Sequence, residues 1–187
     1  MKTMLTFTLT VLLSGNLFAQ TQSFTVTREI AVSTDSVWTI VGENYADIAK
    51  SHPQLSASHY VEGTPLNGEG CERLCSFSDN GKKFTRERMT EYNEEEYSFK
   101  AEILGVNGLP IDTTQSYMLY NLEVINDTAT TISLTMVYRT NPAFLGMLAK
   151  GKFKKGIEDY AIAIQHYALT GEEVNPENFK RIKKLYN

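Results

Sequence analysis

Residues 71–91 read CERLCSFSDNGKKFTRERMTE, and this stretch sets the first expectation for the fold. Asn80-Gly81 lies between two segments whose side chains alternate as in β-strands, from one face to the other. Asn-Gly tolerates the positive φ angles of a tight hairpin turn. The stretch therefore predicts an antiparallel hairpin with a two-residue loop. Such a loop gives three facing pairs, which are Phe77 with Phe84, Cys75 with Arg86, and Arg73 with Arg88.

The face of this hairpin that carries Phe77 and Phe84 is expected to point inward, because it continues into Phe99 on the next strand. Three arginines come with that face, namely Arg73, Arg86 and Arg88, whereas most strand glutamates fall on the opposite faces. Unpaired buried charge is costly, so something must offset it. Either an anionic ligand group such as a carboxylate or enolate sits among the arginines, or helix and loop acids or water at the rim neutralise them. A one-residue slip in register would reverse the faces.

The rest of the chain surrounds this hairpin with further strands and helices. Residues 23–33 alternate as a half-buried strand, and residues 34–41 and 45–51 follow as two short helices. Residues 116–125 and 131–139 alternate as two more strands. A long amphipathic helix is predicted to start at Asn141-Pro142 and to run to Gly171.

This order predicts an α+β domain. Its curved antiparallel sheet of about six to seven strands wraps around the long C-terminal helix, with two short helices after the first strand. The chain resembles the SRPBCC superfamily, which has the START-like, birch-pollen-allergen-like helix-grip fold, in its polyketide cyclase/dehydrase and lipid transport branch. The resemblance covers about residues 23–170. It is carried by VTREI (26–30), VSTDSVW (32–38), IAKSHP (48–53), residues 70–79 and RER (86–88).

The resemblance implies a hydrophobic ligand held between the sheet and the long helix. One departure is that the branch often has Trp before His-Pro, where this chain has Ser51. Apolar and aromatic side chains alternate toward the expected cavity, as in most small-molecule sites. The candidate lining is Phe77, Phe84, Phe99, Tyr120, Met136 and Tyr138. The alternative is a filled core in which the tyrosine hydroxyls bond to backbone groups.

Among the three histidines, His52 is the candidate for acid–base chemistry, since histidine titrates near neutral pH. It precedes a proline at the end of a short helix, where the resemblance places residues near the cavity entrance. The plainer interpretation, which we prefer, is a helix terminator that makes one hydrogen bond. No nucleophile, phosphate-binding or dinucleotide motif is present in the sequence, and no cofactor is predicted.

Cys71 and Cys75 are the only cysteines of the chain. Four residues along a strand span about 13 Å, which exceeds the roughly 7 Å limit between the Cα atoms of a disulfide. On a regular strand they are therefore predicted to be two free thiols on the inner face, and a bulge in the strand is the alternative that would allow a bridge. No metal site is predicted, because the pair lacks further cysteines or a nearby histidine pair.

The N-terminal residues 1–19 have the order of a secretory signal peptide. Lys2 precedes an apolar stretch too short to span a bilayer, and Leu17-Phe18-Ala19 precedes the expected cut. The alternative is an uncleaved helix against the domain. Export predicts a periplasmic or secreted protein with a ligand-binding domain at residues 20–171 and a polar C-terminal tail at residues 172–187.

The composition limits the classes of molecule that the chain is expected to bind. Its 187 residues carry 18 Lys and Arg against 22 Asp and Glu, a net charge of −4, which argues against nucleic acid. With 42% hydrophobic and 21% charged residues, a disordered chain is excluded. A lysine cluster on the long helix is either a solvated face or a contact for an anionic membrane. The cluster consists of Lys150, Lys152, Lys154 and Lys155.

Three functions follow from the sequence. The preferred one is an exported binding protein for a hydrophobic or amphipathic small molecule, such as a lipid or an aromatic or polyketide-like compound, with an anionic group near the arginines. The second is a cyclase- or dehydratase-like enzyme in which the arginines stabilise an enolate and His52 or a tyrosine moves the proton. A His or Tyr in hydrogen-bond reach of the arginines would favour this enzyme. The third is a protein-interaction module with a filled core.

Overall fold

The computed structural model describes residues 21–186, so the predicted signal peptide lies outside the described residues. The strands are β1 Gln22–Ile30, β2 Ala57–Tyr60, β3 Glu72–Ser76, β4 Phe84–Asn93, β5 Ser98–Asn107, β6 Tyr117–Asn126 and β7 Ala129–Tyr138. The α-helices are α1 Thr34–Trp38, α2 Leu145–Thr170 and α3 Phe179–Lys183. A π-helical turn, Thr39–Glu43, and a 3₁₀ helix, Tyr45–Lys50, follow α1, and a second 3₁₀ turn covers Thr113–Gln115.

The seven strands form one antiparallel sheet in the order β1-β7-β6-β5-β4-β3-β2. Since β1 pairs with β7, the first strand closes the sheet beside the last one, and the two short helical segments and α2 cover one face. The predicted α+β architecture, with its sheet wrapped on a long C-terminal helix, is confirmed.

The core on that face is built around Trp38, which is 2% exposed. Its ring packs edge-on against Phe99, with 5.8 Å between ring centroids. Gly42 permits this packing, because a Cβ there would lie 2.8 Å from the indole. The apolar face of α2 completes the core through Ala161 and Ile164. The short helices therefore fix one end of the sheet against α2.

The long helix begins at Leu145, three residues later than predicted. Leu145 N–H donates to the Pro142 carbonyl and Gly146 N–H to the Ala143 carbonyl, so residues 142–144 form a turn ahead of the helix. Asn141 therefore does not cap it. The predicted end is correct, because Gly171 adopts φ +71° and closes the helix in the left-handed conformation.

The C-terminal segment folds back onto α2. Ile182 of α3 is fully buried against Ala163. Val174 N–H donates to the Lys50 carbonyl at 2.8 Å, which ties the segment to the helix that ends beside His52. The segment thus packs on the domain although its sequence is mostly polar.

The hairpin of residues 71–91 has a register that differs by one residue from the predicted one. Arg73 faces Glu87 and Glu72 faces Arg88, so the predicted pairing of Arg73 with Arg88 is wrong. The like-charge pair of the predicted register, Arg73 with Arg88, is replaced by two opposite-charge pairs, Arg73 with Glu87 and Glu72 with Arg88, and opposite charges stabilise a cross-strand contact.

The physical reason lies in the turn. Phe77 N–H donates to the Lys83 carbonyl at 2.7 Å, which leaves a loop of five residues in place of two. Two side chains support the longer loop. Lys83 N–H donates to Ser78 Oγ at 3.1 Å, and Lys82 N–H donates to Asn80 Oδ1 at 3.0 Å. Side-chain acceptors of this kind compete with the tight Asn-Gly turn.

An odd loop length moves every side chain of β4 to the opposite face. Phe84, Arg86 and Arg88 therefore lie on the outer face of the sheet, and their predicted inward placement is wrong. Thr85 and Glu87 point inward in their place. The inward placement of Arg73, Cys75 and Phe77 on the other side of the hairpin is correct.

Candidate functional site

A cavity of about 560 Å³ lies between the inner face of the sheet and α2. Its walls are mostly apolar side chains from strands β5 to β7, from α2 and from the segments around residues 55 and 111. They include Leu55, Ala101, Met118, Met136, Phe153 and Ile157. A volume of this size accommodates a small organic molecule, and apolar walls favour a hydrophobic one.

The inner end of the cavity contains Arg73, which is 2% exposed. Its Nε and Nη2 atoms donate to Glu87 Oε2 at 2.9 and 2.7 Å, and Nη1 donates to the Tyr45 carbonyl at 2.8 Å. The guanidinium also lies 3.8 Å from the centre of the Tyr45 ring. Although burial alone would lower it, the pKa of Arg73 is raised well above its ordinary value by Tyr45 and Glu87. Arg73 is therefore a permanent cation, and each of its three nitrogens donates to a protein acceptor.

Glu87 neutralises that cation from the facing position of β4. Its second oxygen, Oε1, accepts a hydrogen bond from Thr85 Oγ1 at 2.8 Å. Both oxygens of the carboxylate are thus engaged by protein groups. The charges of Arg73 and Glu87 cancel, so these two residues give the inner end of the cavity no net charge.

Two tyrosines extend the polar cluster toward α2. Arg73 Nη2 donates to the Tyr120 hydroxyl at 3.4 Å, and the Tyr120 and Tyr160 hydroxyls are neighbours in the same cluster. The Tyr120 ring stacks on Phe99 with 4.3 Å between centroids. Burial raises the pKa of Tyr120 and raises that of Tyr160 well above its ordinary value, so both phenols are protonated.

His52 lies on the cavity wall beside this cluster. Its Nδ1 accepts the backbone N–H of Gln54 at 3.1 Å, so the ring makes one hydrogen bond, as expected, but to the segment after the helix and not to the helix itself. Its ring lies 4.7 Å from the Tyr160 ring. Burial, followed by the charge of Arg73, lowers the pKa of His52 to about 3. The imidazole is therefore neutral near pH 7.

The two cysteines are both free and buried, as predicted. Cys75 lies on the cavity wall, and its Sγ is 3.5 Å from Ser58 Oγ. Burial raises the pKa of Cys75 to about 12 and that of Cys71 to about 11. Thiols of this kind remain protonated and unreactive near neutral pH.

The cavity opens where the first turns of α2 approach the β3–β4 loop. Leu148, which is 79% exposed, borders this mouth together with Lys83 and Lys152. The other lysines of the predicted cluster, Lys150, Lys154 and Lys155, are exposed on α2. The deep walls therefore carry no net charge, because Arg73 and Glu87 neutralise each other, whereas positive charge lies at the entrance.

Of the residues predicted to line the cavity, four do so, namely Arg73, Phe77, Tyr120 and Met136. Phe99 and Tyr138 are buried behind the wall. The Tyr138 hydroxyl donates to the Gly146 carbonyl at 2.8 Å. Phe84, Arg86 and Arg88 lie on the outer face of the sheet, away from the cavity.

Glu87, Thr85 and Tyr160 were not predicted as site residues. Charge complementarity across the hairpin was the available signal for Glu87, because only one of the two registers places it opposite Arg73. Tyr160 lay on the predicted apolar face of the long helix, but its contact with Tyr120 depends on how the helix crosses the sheet.

The outer face of the hairpin has its own charged cluster. Glu72 is 3% exposed, and Arg86 Nε and Arg88 Nε donate to it at 2.7 and 2.8 Å. Although burial alone would raise it, hydrogen bonds from Arg88 and Arg86 lower the pKa of Glu72. The arginine side chains remain 47% and 44% exposed.

Among residues 21–186, no group of three His, Cys, Asp or Glu side chains is arranged to hold a metal ion. No helix within this described part of the chain is long and apolar enough to cross a membrane.

The sequence model of the polyketide cyclase / dehydrase and lipid transport family matches residues 21–162. Since the match spans most of the chain, the protein belongs to this family, and the SRPBCC resemblance is confirmed. This family is known for binding hydrophobic small molecules, in keeping with the apolar walls of the cavity described above. A comparison with curated protein sequences finds no match.

Solved structures with the same fold come from bacteria and plants. An NMR structure from Thermobifida fusca is 20% identical, with a TM-score of 0.64 over 81% of this chain and 96% of its own. Ara h 8.0201 is 17% identical, with a TM-score of 0.62 over 81% and 99%. Norcoclaurine synthase from Thalictrum flavum, solved with dopamine and hydroxybenzaldehyde, is 16% identical, with a TM-score of 0.58 over 90% and 96%. At these identities the likeness shows the fold alone.

Proposed function

We propose that the protein is an exported binding protein that holds a hydrophobic or amphipathic small molecule, such as a lipid or an aromatic or polyketide-like compound. The observation that carries this proposal is the cavity of about 560 Å³, with apolar walls and a single polar cluster at its inner end. A protein-interaction module with a filled core would not contain such a space, because protein interiors are ordinarily close-packed.

The fold comparison supports the binding of a small molecule. Norcoclaurine synthase has this fold at low identity and was solved with two small aromatic compounds. Export is proposed from the sequence of residues 1–19. Fractionation of the producing cells tests it, with the mature chain expected outside the cytoplasm and beginning at Gln20.

Ligand binding is tested by blocking the cavity. Ala149 lies on its wall, and Lys155 lies exposed on the same helix away from it. We expect Ala149→Trp to weaken binding of the neutral fluorescent probe Nile red by about tenfold or more, because the indole occupies the space. Lys155→Trp is the matched control and should change binding by less than about twofold. Equal affinities of both variants and the parent protein would refute cavity binding.

An enzyme is the second candidate, because the Tyr120 hydroxyl is in reach of Arg73. The carrier is preferred, because the acid–base groups are not tuned for neutral pH. His52 has a pKa of about 3 and the tyrosine pKa values are raised, whereas a general acid or base works best near the ambient pH. Turnover of a bound small molecule that is lost in Tyr120→Phe, with its binding retained, would favour the enzyme.

A further inference from the structure

The inner end of the cavity presents uncharged hydrogen-bond donors. The sequence predicted an anionic ligand group beside three inward arginines, but two of these face outward and the third is paired with Glu87. Glu87 accepts from Arg73 and Thr85 with both of its oxygens. A carboxylate brought to this end would meet another carboxylate and no free cation, after losing its own water.

His52 supplies the first of the free donors. Its Nδ1 accepts the Gln54 N–H, so the neutral ring carries its proton on Nε2. No residue from 21 to 186 is hydrogen bonded to that Nε2, and the half-buried ring forms part of the cavity wall. Burial and the Arg73 charge lower the pKa of the imidazole to about 3, so this donor is not a cation.

The pair Tyr120 and Tyr160 supplies the second free hydrogen-bond donor. The neighbouring hydroxyls of Tyr120 and Tyr160 carry two protons, of which at most one can be donated within the pair, while Arg73 donates to a lone pair of Tyr120. Whichever hydroxyl donates within the pair, the proton of the other remains. Both residues line the cavity.

We propose that the ligand carries an uncharged acceptor, such as a ketone, ester or amide carbonyl, which accepts from His52 Nε2–H and the spare tyrosine proton. The apolar remainder of the molecule extends along the Met118, Met136 and Ile157 side of the cavity. The inference rests on the proposed function, since it specifies the ligand of the same cavity. The neutral acceptor takes the place of the anionic ligand group expected from the sequence. The positive side chains of Lys83 and Lys152 lie at the mouth of the cavity.

A thermodynamic cycle between His52 and the carbonyl tests this. Methyl nonyl ketone, undecane and undecanoate compete with Nile red for the unaltered protein, for His52→Leu and for the control His59→Leu, whose residue is exposed on β2. We expect His52→Leu to weaken the ketone by about five- to tenfold and undecane by less than about twofold, as one hydrogen bond is lost. His59→Leu should leave all affinities within about twofold.

The unaltered protein gives two further measurements, which stand even where a variant fails to fold. Undecanoate should bind at least about tenfold more weakly than the ketone. The infrared carbonyl stretch of the bound ketone should lie below its frequency in hexane, because a donated hydrogen bond weakens the C=O bond.

The outcomes separate the two proposals. Nile red binding with tighter undecanoate than ketone, or with an unshifted carbonyl stretch, overturns the neutral-acceptor ligand and leaves cavity binding intact. Equal loss of ketone and undecane in His52→Leu also overturns it, because the effect is then one of shape. Failure of Nile red and all three compounds to bind overturns cavity binding itself, and the ligand assignment with it.

Discussion

The two faces of the β3–β4 hairpin carry the same residue types in different surroundings. On the inner face, Arg73 is 2% exposed and Glu87 is its single carboxylate partner. On the outer face, Glu72 is buried and is shared by Arg86 and Arg88, whose side chains are almost half exposed. Pairing in a sheet gives both clusters their geometry, but only the inner one removes a cation from water. The energetic weight of an Arg–Glu pair therefore depends on which face of the sheet holds it.

The largest expected effect comes from removing the inner cation. Arg73→Met should lower the free energy of unfolding by about 3–5 kcal/mol, because Glu87 then remains at the inner end of the cavity without its cation. Urea denaturation of the variant and the parent protein measures the difference. Arg88→Met makes the same change on the outer face, where less than about 1 kcal/mol is expected.

The double variant Arg73→Met, Glu87→Met sharpens this comparison. It should recover much of the lost stability, because two apolar side chains leave no buried charge unpaired. Equal costs for Arg73→Met and Arg88→Met would contradict the difference drawn between the faces.

The second effect is the acid sensitivity of the inner face. His52 has a pKa of about 3 in the folded protein against 6.5 for an ordinary histidine, so the unfolded chain binds this proton more readily. Stability is therefore lost as the pH falls from about 6.5 toward 3. Between pH 7 and pH 5 the loss from this group is about 2 kcal/mol.

His52→Gln isolates that contribution, because glutamine does not titrate and its carbonyl can accept the Gln54 N–H. Denaturation of both proteins across this pH range should show a steeper loss in the parent. Parallel pH profiles would mean that His52 is protonated without penalty, which the burial of its ring opposes.

A smaller effect is expected from the carboxylate of the outer face. Glu72→Gln should cost about 1–2 kcal/mol, since the amide keeps one acceptor while Arg86 and Arg88 turn to solvent. Thermal unfolding measures the change. A loss of stability as large as that of Arg73→Met would show that the outer cluster is as fully removed from water as the inner one.

The smallest effect is expected from Arg86→Gln. Glu72 keeps Arg88 as its partner, and the guanidinium removed is almost half exposed. A change below about 1 kcal/mol is expected, and it should shrink further in high salt, because exposed charges are screened. Denaturation at low and high salt measures both. A large, salt-independent loss would contradict the assignment of Arg86 to the outer face.

Much of the fold could be predicted from the sequence, because it depends on local periodicity. Alternation gave the long strands, helical spacing gave α2, and Gly171 marked its end. Of the candidate site, the inward residues of β3, β6 and β7 could be predicted for the same reason. The faces of β4 could not, because they depend on whether the loop has two residues or five, and Ser78 and Asn80 decide that through their hydrogen bonds.

The sequence by itself determined the family, the order of the elements and the free state of Cys71 and Cys75, since strand geometry keeps those thiols apart. Only the tertiary structure decided which arginine is inside, that Glu87 neutralises it, and that Tyr160 and His52 complete the inner end of the cavity. The physical reason is that a charge pattern along one strand is compatible with either face. Pairing with the neighbouring strand and the crossing of α2 select one of them.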